Sequence, residues 1–311
     1  MAERTPRNQK QQPFAVAEHI PRITVIVSGT SRLGAEAVSA LLARHLDPLT
    51  QVHVYTANSS REATLTASDA AQSADVVVAV GGDGTVADVA TGIFGSDAAL
   101  GIVPAGTTNI TGRSLGIPAD PADALALLGH QRVYRSIDVG RSGDRSFLHI
   151  AGAGFDAQLF SSANPDWKRR VGWVAYLPAA AAALAVPPAE VRVIADEIEI
   201  VADSALVLIA NGGSAIAPGF KIFPGVSVED GWLDVLLFTP STPAEIATTL
   251  WHAGMQRLDR SPHVIWSRAR TVKIEAAPPL PVELDGDPRG HTPREFQVVP
   301  SGLTVVVPDP A

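Results

Sequence analysis

The sequence predicts two unlike halves, an α/β half with a mostly parallel sheet followed by a β-rich half of antiparallel, sandwich-like strands. Three observations carry this. Up to about Ser136, short apolar runs alternate with segments of helical spacing, the rhythm of buried parallel strands covered by helices on both faces. Beyond Ser136, short strand-like runs follow one another with few helical stretches between them. Two glycine clusters stand directly after apolar runs of the first half, at the carboxyl ends of strands, where parallel sheets hold ligands.

Ile23 to Val27 is apolar and β-branched, as a strand buried on both faces should be, and Ala35 to Leu46 follows with Val38, Leu41, Leu42 and Leu46 at helical spacing. Gln51 to Tyr55, Asp75 to Val80 and Ala99 to Val103 read as further strands. Helix-forming sequence lies around Glu62 to Ala74 and from Val86 to Phe94. Asp120 before Pro121 is an N-cap followed by a first-turn proline. In the second half, Phe147 to Ile150, Val191 to Ile194, Glu197 to Val201, Ala205 to Ile209, Leu233 to Phe238, Val272 to Ile274 and Leu303 to Val307 read as strands. Asp166 to Ala185 and Thr242 to Met255 read as helices. The expected division is a mobile tail over 1–20, an α/β domain over 21–137 and a β-rich domain over 138–311, with the boundary near Arg135 to Gly143.

A chain of 311 residues suggests roughly two domains. Its 46% hydrophobic and 18% charged content excludes a wholly disordered chain. The absence of cysteine excludes disulfides, thiolate metal sites and cysteine nucleophiles. A net charge of -8 argues against a nucleic-acid binder, which would carry a basic stripe. Met1 to Pro13 is charged and Gln-rich, without the apolar core of an export signal, so a cytoplasmic location is expected. The eight histidines show no metal-binding spacing, and neither a Gly-x-Ser-x-Gly elbow nor a Gly-x-x-x-x-Gly-Lys-Ser/Thr loop occurs.

The glycine clusters are Gly81-Gly82-Asp83-Gly84-Thr85 and Pro104-Ala105-Gly106-Thr107-Thr108-Asn109. Glycines let backbone N–H groups converge on a phosphate without obstruction by Cβ, and a following helix N-terminus adds positive potential. An aspartate inside such a loop would repel bare phosphate, so Asp83 suits a magnesium ion. Each cluster alone also reads as an ordinary strand–helix turn.

Together these clusters resemble the catalytic domain of the diacylglycerol kinase superfamily, which includes soluble bacterial diacylglycerol kinases, sphingosine kinases and ceramide kinases. The resemblance continues through Ile137-Asp138-Val139-Gly140, Gly152-Ala153-Gly154-Phe155-Asp156, Asn211-Gly212-Gly213, Glu229-Asp230-Gly231-Trp232-Leu233-Asp234 and Leu284-Asp285-Gly286-Asp287. It implies an ATP- and Mg2+-dependent kinase acting on a lipid hydroxyl, diacylglycerol by default. A kinase of a soluble metabolite resembling NAD kinase, or a regulator that has lost catalysis, remain as alternatives.

The resemblance assigns nucleotide and magnesium contacts to Gly81, Gly82, Asp83, Gly84 and Thr85, and nucleotide contacts to Ser28, Gly29, Thr30, Thr56, Asp88, Thr107, Asn109 and Asp287. It makes Asp285 the catalytic base beside Asp83, whereas the local pattern also reads as an Asp-Gly hairpin turn. It implies a structural magnesium held by Asp230 with backbone oxygens of Ser227 and Trp232; a plain turn is the other reading. The chain departs from the family pattern at Ser28-Gly29 (usually Asn-Pro), at Ile110 (usually aspartate), and at Asp88 and Asp287 (usually glutamate). Trp167-Lys168-Arg169-Arg170 with Trp173 and Tyr176 suits a membrane interface, or else a helix with a solvated basic face. The expected partners are therefore a lipid substrate and, transiently, a membrane surface; a homodimer is compatible with the sequence.

Overall fold

The computed structural model describes residues 21–129, 132–154, 177–212 and 225–309. The expected tail over 1–20 and the stretch from Trp167 to Tyr176 lie outside the described residues.

The first half is the expected α/β unit. Strands β1 (Arg22–Ser28), β2 (Gln51–Ala57), β3 (Val76–Gly81) and β4 (Ala99–Pro104) run parallel in the order β2-β1-β3-β4. All six residues of β3 and all six of β4 are buried, as their continuous apolar sequences require of strands covered on both faces. The register pairs Ser28 with Ala57 and Gly81 with Pro104, so all four strands end along one edge. Helices α1 (Ala35–His45), α2 (Ser60–Ala70) and α3 (Asp83–Ile93) connect them, and α4 (Ile110–Ser114) and α5 (Pro121–Ala126) follow β4. The Ser59 hydroxyl caps α2 by accepting from the Glu62 amide, and Asp120 caps α5 by accepting from Ala122 and Asp123.

The chain then passes into β5 (Val133–Ser142), β6 (Arg145–Phe147) and β7 (Ile150–Ala153), followed by α6 (Leu177–Leu184), β8 (Ala189–Ala195), β9 (Ile198–Ser204) and β10 (Leu206–Ala210). Next come β11 (Leu233–Phe238), α7 (Pro243–Gly254), β12 (Val264–Ala269), β13 (Thr271–Ala277), β14 (Pro281–Leu284), β15 (Asp287–His291) and the long β16 (Arg294–Val307). One sheet, β12-β11-β10-β7-β14-β15, is antiparallel at every pairing. The other continues the parallel sheet through β16 into β13, β8 and β9. The two sheets enclose a core that includes Phe147, Val191, Val193, Val207, Ile209, Val235, Leu237, Val272, Ile274 and Phe296, taken from alternate positions of both inner faces.

Two features differ from the sequence expectation. Leu303 to Val307 is the end of a 14-residue strand; Val305 pairs in parallel with Leu100 of β4, and Leu303, Val305, Val306 and Val307 join the core of the first half. The expected strand from Phe147 to Ile150 is interrupted at Leu148 and His149, because the amides of Leu148, His149 and Ile150 turn to the carboxylate of Asp285. Among the described residues, no helix is long and apolar enough to cross a membrane.

Candidate active site

The two glycine loops touch. The Ala105 amide donates to the Gly81 carbonyl at 2.9 Å, and a Cβ on Gly106 would stand 2.5 Å from the Gly82 Cα. Only glycine permits that approach. Asn109 takes the left-handed conformation at φ +48° and braces the loop from both sides. Its Oδ1 accepts from the Gly106 amide and its Nδ2 donates to the Gly106 carbonyl, each at 3.0 Å. Gly82 caps α3 and Asp83 sits in its first turn, so the amides and positive end of that helix open at this edge. The neighbouring strand ends are tied together: Gly29 N–H donates to the Ala57 carbonyl, and the Ser28 and Thr30 hydroxyls lie 3.0 Å apart. Thr56 and Thr107 are solvent-exposed on the same edge.

Asp83 and Asp285 come from opposite halves and are joined by hydrogen bonds. Asp83 Oδ1 accepts from the Thr111 amide at 2.9 Å and the Thr111 hydroxyl at 3.1 Å, while its Oδ2 makes no hydrogen bond among the described residues. The Thr111 hydroxyl lies 2.8 Å from His149 Nε2. Asp285 Oδ1 accepts from His149 N–H at 2.9 Å and Ile150 N–H at 3.0 Å, and Oδ2 accepts from Leu148 N–H at 2.7 Å.

Asp285 and Gly286, at φ +48° and +87°, form the tight turn between β14 and β15, with Leu284 opposite Asp287. The hairpin and the placement of the carboxylate are thus one feature. Burial pushes the Asp285 carboxyl above its ordinary range, against the opposing pull of His149 and the three amides.

The two shortened acids are placed differently. Asp287 Oδ2 lies 3.7 Å from the point where a side chain on Gly84 would begin and accepts from Arg289 at 3.1 Å. Asp88 is paired with Ser60 and Arg145 and feels the charge of Asp287. It is 6% exposed, and its Oδ1 accepts from the Ser60 hydroxyl at 2.6 Å and from the Arg145 guanidinium, which also donates to Thr64. Burial raises the Asp88 carboxyl, opposed by Arg145 and Ser60, and the Asp287 charge adds to the rise.

The Ser227–Trp232 loop has its own supports. Asp138 accepts from Gly231 N–H at 2.6 Å and Ser301 N–H at 2.8 Å, fixing the loop against β16. Asp230 Oδ1 accepts from Trp232 N–H, and Ser227 Oγ accepts from Glu229 N–H. Asp230 Oδ2 meets the Arg268 guanidinium at 3.2 Å. Arg268 also bridges to the buried Asp234 and to the Gly225 carbonyl. This donor set does not fit the cation that the resemblance implies, because a guanidinium already meets the Asp230 charge. Among the described residues, no cluster of three or more metal-ligating side chains occurs.

Residues 22–142 match the diacylglycerol kinase catalytic domain, and residues 149–307 match the YegS C-terminal NAD kinase beta sandwich-like domain. The chain belongs to the diacylglycerol kinase and YegS family of lipid kinases. This family member is 34% identical over 240 residues to a probable lipid kinase YegS-like of Pseudomonas aeruginosa, covering 75% of this chain and 76% of that one. It is 30% identical over 299 residues to a diacylglycerol kinase of Bacillus subtilis, covering 92% and 96%. Its fold is similar to the crystal structure of a putative diacylglycerol kinase from Bacillus anthracis, with a TM-score of 0.74 at 22% identity over 93% of this chain and 97% of that one.

In the sequence of this lipid kinase family member both glycine loops and Asp285 stand out, whereas Thr111, Arg145 and His149, which contact these groups or Asp88, do not. Thr111 and His149 lie 38 positions apart, and Arg145 lies 57 from Asp88, so no local pattern marks them as partners.

Proposed function

We propose that this protein transfers the γ-phosphoryl group of ATP to the primary hydroxyl of a lipid, with diacylglycerol as acceptor and phosphatidic acid as product. The observation that carries this reading is Asp285, a carboxylate held by three backbone amides in the hydrogen-bonded assembly that also contains Asp83 of the glycine loop. The names of the B. subtilis and P. aeruginosa relatives support the substrate class.

In this reading the touching glycine loops and the first turn of α3 hold the phosphates by backbone N–H groups, with no Cβ at Gly82 or Gly106 to keep them away. Asp83 Oδ2, an oxygen without a protein partner among the described residues, fits a hard cation. Magnesium bound there would neutralise charge on the phosphates. Asp285 Oδ2 accepts one amide where Oδ1 accepts two, which leaves it a lone pair for the lipid hydroxyl. Asp285 takes the hydroxyl proton as the lipid oxygen bonds to the γ-phosphorus. The bond from that phosphorus to the bridging oxygen breaks, and ADP leaves. The raised affinity of the buried carboxyl for a proton makes it a better base than an exposed aspartate.

The protein works in the cytoplasm and reaches its lipid at the membrane surface. The test is phosphate transfer from labelled ATP with magnesium to diacylglycerol, ceramide and sphingosine in mixed micelles, with NAD as a soluble acceptor. Labelled phosphatidic acid is the expected product. Labelling of NAD alone, or nucleotide binding without any transfer, refutes the proposal.

A further inference from the structure

We propose that His149 and Thr111 form a strut that sets Asp83 against Asp285, making His149 a positioning residue for the phosphoryl transfer proposed above, on which this inference rests.

His149 is 3% exposed and makes contacts in two directions. Its backbone N–H donates to Asp285 Oδ1, and its carbonyl accepts from the Asn211 amide at 2.7 Å. Its ring reaches the Thr111 hydroxyl, and Thr111 holds Asp83 Oδ1 through both its amide and its hydroxyl. The path Asp83–Thr111–His149–Asp285 therefore joins the N-terminus of α3 in the first half to the β14–β15 turn in the second.

Counting protons gives the strut a direction. Thr111 has one hydroxyl hydrogen for two neighbours. With the proton on His149 Nε2, the imidazole donates to Thr111 Oγ1 and the hydroxyl donates to the Asp83 carboxylate. With the proton on Nδ1, the hydroxyl must turn to Nε2, and Asp83 loses a charge-assisted bond, the kind about twice as strong as a neutral one. The Nδ1–H would then be buried without an acceptor, since Nδ1 has no partner among the described residues and faces Gly212, where a Cβ would lie 3.4 Å away. The Nε2–H tautomer satisfies every donor in the path, so His149 acts as a donor toward Asp83 through Thr111.

The strut also accounts for Ile110. Where the family pattern has an aspartate, this chain has an apolar residue, and the next residue, Thr111, supplies an amide and a hydroxyl to Asp83. Asp88 does not fill that role, being committed to Ser60 and Arg145.

The test combines kinetics on the full chain with nitrogen NMR of the imidazole. Thr111→Val removes the hydroxyl and should lower kcat about tenfold while the KM for ATP and lipid stays within about twofold, because misplacing the reacting groups costs rate more than binding. Thr111→Ser keeps the hydroxyl and should recover most of the lost rate. Thr111→Val combined with His149→Leu should be no slower than the slower single variant, since both cut one path. In the wild-type spectrum, His149 should carry its proton on Nε2, a readout that needs no variant to fold and no turnover. A proton on Nδ1, a Thr111→Val enzyme as fast as wild type, or two substitutions whose effects multiply would each overturn the strut. A wild-type chain that phosphorylates no lipid overturns the functional reading, and the positioning role with it. An active wild type with indifferent variants overturns the strut alone.

Discussion

Asp285→Asn tests base and hairpin together. Asparagine keeps the size of the side chain but has one acceptor oxygen in place of two. Its best orientation lets Oδ1 accept from His149 and Ile150, which turns Nδ2 toward the Leu148 amide, now 2.7 Å from a carboxylate oxygen. One buried N–H then faces another donor, a loss of about 1–3 kcal/mol. At roughly 2–4 °C per kcal/mol for a domain of 150–250 residues, the melting temperature should fall by about 2–12 °C. Loss of the proton acceptor should lower turnover by about 10²–10⁴. Calorimetry and labelled-ATP transfer to micellar diacylglycerol, run on the same preparation, read both. A variant within about threefold of wild-type turnover but less stable would make Asp285 a hairpin anchor, since a general base should cost far more. An unchanged melting temperature would refute the three-amide clamp.

The pH dependence has a definite sign. Burial raises the Asp285 carboxyl above the ordinary aspartate value of 3.8, so the folded chain holds this proton where the unfolded chain has released it. Its contribution to stability is full below the ordinary value and is lost as pH rises through the raised one. Turnover, which needs the ionised carboxylate, should rise through that same raised value. In Asp285→Asn the acid limb of turnover attributable to this carboxyl should vanish.

Gly82→Val and Gly106→Ala should separate binding from folding. A Cβ at 82 meets nothing closer than the Gly106 Cα at 3.5 Å, so Gly82→Val should abolish nucleotide binding, measured calorimetrically, with little change in melting. A Cβ at 106 stands 2.5 Å from the Gly82 Cα and should lower both. Arg145→Met strands the buried Asp88 carboxylate and should cost about 3–5 kcal/mol in denaturant unfolding, much of it recovered by Asp88→Leu in the same chain. Equal stability of the single and double variants would refute the pairing. For Asp230, whose charge Arg268 already meets, Asp230→Ala should cost about 0–1 kcal/mol, the range of a partly exposed pair, and should leave the response of melting to chelation as it is in wild type. A fall in melting on chelation that Asp230→Ala abolishes would show a bound cation in the Ser227–Trp232 loop rather than at Asp83.

The sequence by itself determined what neighbouring residues can encode. β3 and β4 were legible because six consecutive apolar residues have few places to go except between two helical layers. The cap at Asp120 was legible because a side-chain oxygen at the start of a helix has the first amides within reach. The glycine loops and the Asp285–Gly286 turn were legible because they are local backbone requirements. Tertiary structure alone decided which groups meet. It paired Asp88 with Arg145, broke the strand at Leu148 and His149 to supply amides to Asp285, and laid Val305 beside Leu100 of the first half. It also brought His149, one of eight unremarkable histidines, to Thr111. A carboxylate, a hydroxyl or an imidazole can satisfy its bonding with many partners. The choice among them depends on which distant segments the packed sheets bring within about 3 Å, the reach of a hydrogen bond.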